Sequence, residues 1–193
     1  KKRKTPYSLV TVYKGENPIN IDSQAPNQLA AEYFDGAPYL EGFGKITSYE
    51  REVRHGDSRF DFYLKGTEGE GFLEVKGVTL EEDGLAKFPD APTVRGAKHI
   101  RELGEMAEAG ECCGVLFVVQ MKGIWGFTSN DETDPEFTSA LREAEAKGLH
   151  IFVADTIVDG AEMAMDKAVP YFREMPLALV KAREEDLPRV VNL

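Results

Sequence analysis

Apolar positions along this 193-residue chain change period several times, and each change marks a predicted element. After an extended, proline-containing lead, Leu29, Ala30 and Phe34 line one side of a helix predicted over residues 28–34. Asn27 is its predicted cap and Gly36 its stop. Over residues 45–54, Ile46, Tyr49 and Val53 fall among polar residues in the manner of a strand. Residues 58–64 and 71–78 flank Gly66-Thr67-Glu68-Gly69, which predicts a β-hairpin. Residues 79–92 read as a long loop, of a length more often functional than idle. Thr93 is the predicted cap of a second helix that reaches about Ala109 and ends at Gly110. The near-continuous apolar run over residues 115–119 predicts a strand buried on both faces. Asp134-Pro135 opens a third helix, to about Lys147, and residues 149–154 form another buried strand. A short hairpin or strand is expected over residues 164–171, with an irregular or helical end after it.

The resulting order is helix, three strands, helix, strand, helix, strand. It predicts a mixed α/β domain whose central sheet is flanked by helices. Length favours one globular domain, and 42% apolar residues can supply its core. With 34 acidic against 23 basic residues, the net charge is −11, which excludes a binder of nucleic acid that works through whole-molecule positive charge. Local basic patches stay open. No apolar stretch is long enough to span a membrane. Cys112 and Cys113 are neighbours and cannot staple distant parts of the fold, so they read as reduced side chains of a cytoplasmic protein. The chain opens on Lys1-Lys2-Arg3-Lys4 without Met, the look of a cut or a linker.

If Gly66 to Gly69 close the hairpin as a four-residue loop, Lys65 pairs with Glu70, Tyr63 with Phe72, Phe62 with Leu73 and Asp61 with Glu74. Alternation then gives one apolar face to Phe60, Phe62, Leu64, Leu73 and Val75. The other face carries Arg59, Asp61, Tyr63, Phe72, Glu74 and Lys76. Directly opposed residues have β-carbons about 5 Å apart, so two facing acids require a compensating cation. A divalent ion would serve, and oxygen ligands suit Mg²⁺ or Mn²⁺. Lys76, on the same face, could hold a water or steady charge on a phosphate. Register alone leaves a second reading open, in which Arg59 and Lys76 neutralise the acids in a solvated patch.

In the second helix, Arg95, Lys98, His99 and Glu102 form a polar stripe opposite Ala97, Ile100, Leu103 and Ala107. Cations come early in this helix and acids late, against the helix dipole. Such a broken local rule is expected at a functional site, here one that attracts phosphate to the helix start; a solvated basic turn is the alternative. Trp125, between Gly123 and Gly126, could stack a base or simply pack on the domain edge.

An Asp on one strand followed after a turn by Glu-x-Lys, with Asp61 thirteen residues before Glu74, resembles the PD-(D/E)xK restriction-endonuclease-like core. A closer resemblance runs from about Thr5 to Tyr171. Pro26-Asn27-Gln28-Leu29, Arg51-Glu52-Val53-Arg54-His55-Gly56, Ser58-Arg59-Phe60-Asp61-Phe62 and Leu73-Glu74-Val75-Lys76 are similar to the sugar fermentation stimulation protein A family. So are Phe88-Pro89-Asp90-Ala91-Pro92-Thr93, Arg95-Gly96, Lys98-His99 and Leu116-Phe117-Val118-Val119-Gln120. The resemblance implies a DNA-binding protein linked to regulation of sugar (maltose) use, with an OB-fold before a nuclease-like domain. The chain enters that pattern where the OB-fold has nearly ended. Residues 1–24 are therefore expected to be a linker or a remnant of a preceding domain, 25–172 the nuclease-like domain, and 173–193 a C-terminal extension.

For the site, the resemblance implies Asp61 and Glu74 as ligands of Mg²⁺ or Mn²⁺, helped by the Val75 carbonyl, with Lys76 positioning water. It implies Arg59, Arg95, Lys98 and His99 on the nucleic acid, DNA or RNA, with His99 either donating to phosphate or orienting a carboxylate. Glu32, on the first helix, is expected as an extra acidic ligand or as an ordinary exposed glutamate. Two functions follow as expectations: a metal-dependent nuclease, or a DNA-binding regulator that keeps the fold without the chemistry.

Overall fold

A computed structural model describes residues 8–174; the basic start at Lys1 and most of the predicted C-terminal extension lie outside the described residues. The described chain opens with a hairpin, β1 (Thr11–Lys14) and β2 (Asn17–Asn20), whose strands pair antiparallel. Ile19 and Asn20 are buried, and the Asn20 amide donates to the carbonyl of Gln120. This segment, expected as linker or remnant, is thus docked on the domain.

Helix α1 (Ala25–Asp35) begins two residues before the predicted cap. Pro26 explains the earlier start, because its fixed φ and missing N–H suit a first helical turn. Asn27 is therefore inside the helix, and its side chain is free for another partner. Strands β3 (Tyr39–Leu40), β4 (Gly44–His55), β5 (Ser58–Gly66) and β6 (Glu70–Val78) follow as an antiparallel meander.

The predicted loop over residues 79–92 is not structureless. It contains β7 (Leu80–Glu82) and β8 (Leu85–Phe88), which turn at Asp83 and Gly84 with φ of 52° and 78°. Asp-Gly is a strong two-residue hairpin signal, because both turn positions need positive φ. Helix α2 (Val94–Glu108) starts as predicted: the Thr93 hydroxyl accepts from the amide of Gly96. Strand β9 (Gly114–Val119) is buried along its whole length. Next comes β10 (Gly126–Ser129), a strand without a sequence expectation, which pairs in parallel with β8. Helix α3 (Pro135–Ala146) is capped by Asp134, again as predicted. Strand β11 (His150–Asp159) extends past its predicted end at residue 154 and pairs antiparallel with β12 (Glu162–Ala168).

The main sheet has seven strands in the order β12-β11-β9-β6-β5-β4-β3, and β6, β9 and β11 run parallel. Crossovers of one hand that advance in one direction along a sheet leave their helices on one face. Accordingly α2 and α3 cover one face and α1 the other. Leu29, Ala30 and Phe34 of α1 pack on Phe62, Leu64, Leu73, Val75, Leu116 and Val118. Ile100 and Leu103 of α2 and Phe137 and Leu141 of α3 pack on Val115, Phe117 and Val119. Each such buried side chain contributes about 1.5–3 kcal/mol relative to exposure. Gly104 lets the two helices touch: a β-carbon there would lie 2.8 Å from the Cα of Ala144.

One predicted face is wrong. Phe60 lies on the α2 side with Phe72 and His99, whereas Phe62, two residues on, lies on the α1 side. The partner strand changes face at the same level: Arg51 sits over the Phe62 ring, while Val53 packs with the α2-side core. Between them Glu52 has a φ of 59°, a left-handed conformation that interrupts the pleat. No helix among the described residues is long and apolar enough to cross a membrane.

Candidate active site

The β5–β6 ladder follows the predicted register through Lys65↔Glu70, Leu64↔Gly71, Tyr63↔Phe72 and Phe62↔Leu73, and there it stops. The expected next pair, Asp61 facing Glu74, is not part of it. A carboxylate takes over: Asp61 Oδ2 accepts the Val75 amide at 2.8 Å, and Oδ1 accepts Asn27 Nδ2 at 2.8 Å. The strand interruption at Glu52 and Asp61 thus turns a side chain into the gap that the backbone leaves. Asn27, expected only as a cap, ties the start of α1 to this acid.

Glu74 is 4% exposed on β6. Its Oε1 accepts Lys76 Nζ at 2.6 Å and lies 2.9 Å from His99 Nδ1. Arg95 Nε donates to His99 Nε2 at 3.5 Å, which leaves the Nδ1 hydrogen for Glu74. Oε2 of Glu74 is buried and has no hydrogen-bond partner. A bare buried carboxylate oxygen costs about 1–3 kcal/mol or more, so its retention calls for an explanation.

The two acids are driven apart electrostatically. Burial, and then the Glu74 charge, hold the Asp61 carboxyl above its ordinary value, against its hydrogen bonds and the Lys76 ammonium. Burial also pushes Glu74 up, but the His99 hydrogen bond and Lys76 outweigh it and leave that carboxyl below its ordinary value. Paired acids separated in this way are a feature of catalytic sites.

Both acids line one cleft of about 260 Å³, together with Arg59, Val75, Lys76 and Gly77. The starts of two helices border it: Ser23, Pro26 and Asn27 at α1, and Thr93, Arg95 and Gly96 at α2. Neither helix has an acid in its first turn, so both dipoles and Arg95 favour an anion in the cleft. Gly77 permits the close approach of α1, since a β-carbon there would lie 2.8 Å from Pro26 Cγ.

The other predicted site residues divide. Arg59 and Arg95 line the cleft, and Arg59 also pairs with Glu52 at 2.9 Å. His99 is 4% exposed behind Glu74, so it orients the carboxylate and cannot reach a bound strand. Its helical spacing from Arg95, Lys98 and Glu102 predicts a polar stripe, but the buried side of α2 extends round to include it. Lys98 does not line the cleft; it is exposed and pairs with Glu102 along its own helix at 3.4 Å. Glu32 is exposed, accepts from Gln28 and lines a separate cavity with Asp22 and Glu162, so it does not join the acids. Packing of Leu29, Ala30 and Phe34 on the sheet orients α1, and Asn27, not Glu32, meets Asp61. Trp125 packs on the edge: its indole donates to the Asp83 carbonyl and its ring lies 5.9 Å from Phe172. Burial pushes the Cys112 thiol up to about 11 and the Cys113 thiol up to about 12, which disfavours the thiolate form.

Among the described residues no group of three or more His, Cys, Asp or Glu side chains is placed to hold a metal ion. Two carboxylates line the same cleft, and one of their oxygens, Glu74 Oε2, has no hydrogen-bond partner. That donor set fits a hard divalent ion that keeps several waters, such as Mg²⁺ or Mn²⁺, and does not fit a closed structural site.

Residues 24–162, which include both acids, α1 and α2, match the family model described as the sugar fermentation stimulation protein RE domain. The chain belongs to the sugar fermentation stimulation protein family. A homolog from Clostridium botulinum is 46% identical over 168 residues, covering 86% of this chain and 73% of the relative. One from Ruminiclostridium cellulolyticum is 44% identical over 168 residues, covering 87% and 73%. Among solved structures, that of Pyrococcus furiosus SfsA in complex with Ca²⁺ matches with a TM-score of 0.76 at 28% identity, covering 88% of this chain and 74% of that one. The SfsA likeness and the mixed sheet flanked by helices agree with the nuclease-like fold class expected from the Asp and Glu-x-Lys spacing.

Proposed function

We propose that this protein is a metal-dependent nucleic-acid phosphodiesterase with its centre at Asp61, Glu74 and Lys76. The observation that carries this reading is the buried, unpartnered Oε2 of Glu74, an acid that lines one cleft with a second acid whose ionised form is disfavoured. A divalent cation satisfies both groups at once, and the Ca²⁺ bound by the Pyrococcus furiosus relative is the kind of ion they would take. Asp61, Glu74 and the Val75 carbonyl hold Mg²⁺ or Mn²⁺, which when bound lowers the charge on the scissile phosphate. Lys76 holds the attacking water on the side of Glu74 and supplies positive charge to the developing oxyanion. Arg95 and the start of α2 hold the phosphate, and Arg59 flanks it. His99 fixes the rotamer of Glu74 from behind, a positioning role.

A second reading, a DNA-binding regulator without chemistry, is favoured by the presence of only two acids at the centre and by the salt bridge that occupies Lys76. One experiment separates the two. Plasmid, single-stranded DNA and RNA are incubated with the protein and Mn²⁺, with or without chelator, beside Asp61→Asn. Cleavage that chelator and the substitution both abolish is the expected result. Metal-independent, salt-dependent binding without cleavage would replace the enzyme reading by the regulator.

A further inference from the structure

The cleft is continued on one side by the far end of the β4–β5 pair, which runs on beyond the last β5–β6 pair as a two-stranded ribbon. On that ribbon Arg54 and Arg59 are direct cross-strand partners. Like charges placed directly opposite destabilise a strand pair, so an Arg–Arg pair is a local cost. The adjacent pair, Val53 and Phe60, turns to the α2 side, which by alternation gives Arg54 and Arg59 the opposite, open side. Both are exposed. Arg59 lines the cleft beside Asp61 and shares its charge with Glu52, whereas Arg54 has no ion-pair partner among the described residues. Among the described residues Arg54 is thus an unpaired cation beside the cleft-lining Arg59, on a protein whose net charge is −11.

We propose that Arg54 and Arg59 form a phosphate clamp that receives a backbone phosphate of DNA neighbouring the one at the acids. This rests on the nucleic-acid reading above and adds to it a second subsite and a path for the strand. Arg59 is two residues from Asp61, about 7 Å along a strand, which is on the order of one nucleotide step of backbone. The guanidinium groups suit phosphate because each presents a planar fork of donors. A bound phosphate also relieves the mutual repulsion of the pair.

The test uses fluorescence anisotropy of a labelled short DNA duplex with the full chain and Ca²⁺, from roughly 50 to 200 mM salt. Removing one phosphate contact lowers the slope of log affinity against log salt by about 0.9. Arg54→Ala is expected to show that loss, Arg54→Lys to keep the slope, and Arg54→Glu to weaken binding further. Arg101→Ala, whose arginine pairs with Glu136 away from the cleft, is the control and should keep the slope. Because Arg54→Ala removes a repulsion, its thermal midpoint should equal or exceed the wild type's, and a drop would assign Arg54 a structural role instead. A wild-type slope in Arg54→Ala, with duplex binding intact, overturns the clamp and spares the nucleic-acid reading. Absence of duplex binding by the wild type at every salt concentration overturns the clamp, and absence of binding to single-stranded DNA and RNA as well overturns both.

Discussion

The β5–β6 pair has two halves that obey different rules. In the half next to the turn, four residue pairs follow strict register, and Phe62, Leu64 and Leu73 are wholly buried under α1. In the other half the ladder is gone, a carboxylate holds a backbone amide, and a buried acid keeps an oxygen without a partner. The first half stabilises the fold and the second is costly. Because the same two strands carry both, the apolar half fixes the spacing of the polar half to within a side chain's reach. Local expense is tolerated where a well-packed neighbour holds it in place.

Truncation in the packed half should have the largest effect. Phe62→Ala removes a ring in edge contact with Phe34 and Tyr49, and is expected to cost about 3–5 kcal/mol in urea unfolding. A loss below that of an ordinary surface substitution would mean the ring is not the anchor described. Next is His99→Ala, which deprives a buried carboxylate of one of its two partners and is expected to cost about 1–3 kcal/mol. The same variant should raise the Glu74 titration, followed by carboxyl-carbon NMR, because the His99 hydrogen bond helps hold that carboxyl down.

A smaller effect, with a defined sign, concerns pH. Asp61 binds its proton more tightly folded than unfolded, so its contribution to stability is complete below its ordinary value near 4 and declines as pH rises through the raised one. Glu74 behaves oppositely: its contribution is complete above its ordinary value and is lost as pH falls through the lowered one. Without metal, the stability of wild type minus Asp61→Asn should therefore fall as pH rises from about 4, and Mn²⁺ should reverse the fall at neutral pH. A flat difference curve would show that Asp61 ionises freely. Glu32→Ala should change neither the unfolding midpoint nor any Mn²⁺-dependent cleavage, since Glu32 is exposed and lies off the cleft. A loss of cleavage there would bring α1's acid back into the site.

What could be read from the chain follows the range of the forces involved. Caps at Thr93 and Asp134 are local hydrogen bonds between residues a few positions apart, and both were legible. The turn at Gly66 to Gly69 fixed four pairs of register correctly. Asp61, Glu74, Arg59, Lys76 and Arg95 do line one cleft, although the strand alternation that placed the acids together breaks at Phe60. The change of face at Phe60 was not legible, because it depends on a glutamate with φ of 59° on the partner strand, which no hydrophobic pattern encodes. The burial of His99 depends on how far round the sheet reaches along α2, a tertiary quantity. The β7–β8 hairpin was legible from Asp83-Gly84, a signal obscured by the proline-rich residues after it.

Asp134 sits 6% exposed behind all this and does not line the cleft. One of its oxygens caps α3 through the Phe137 amide at 2.9 Å, and the other accepts the amide of Thr93, at the start of α2, at 2.7 Å. A single carboxylate therefore splices two helix entrances into one unit. Loss of this carboxylate would leave two helix entrances without their shared acceptor at once.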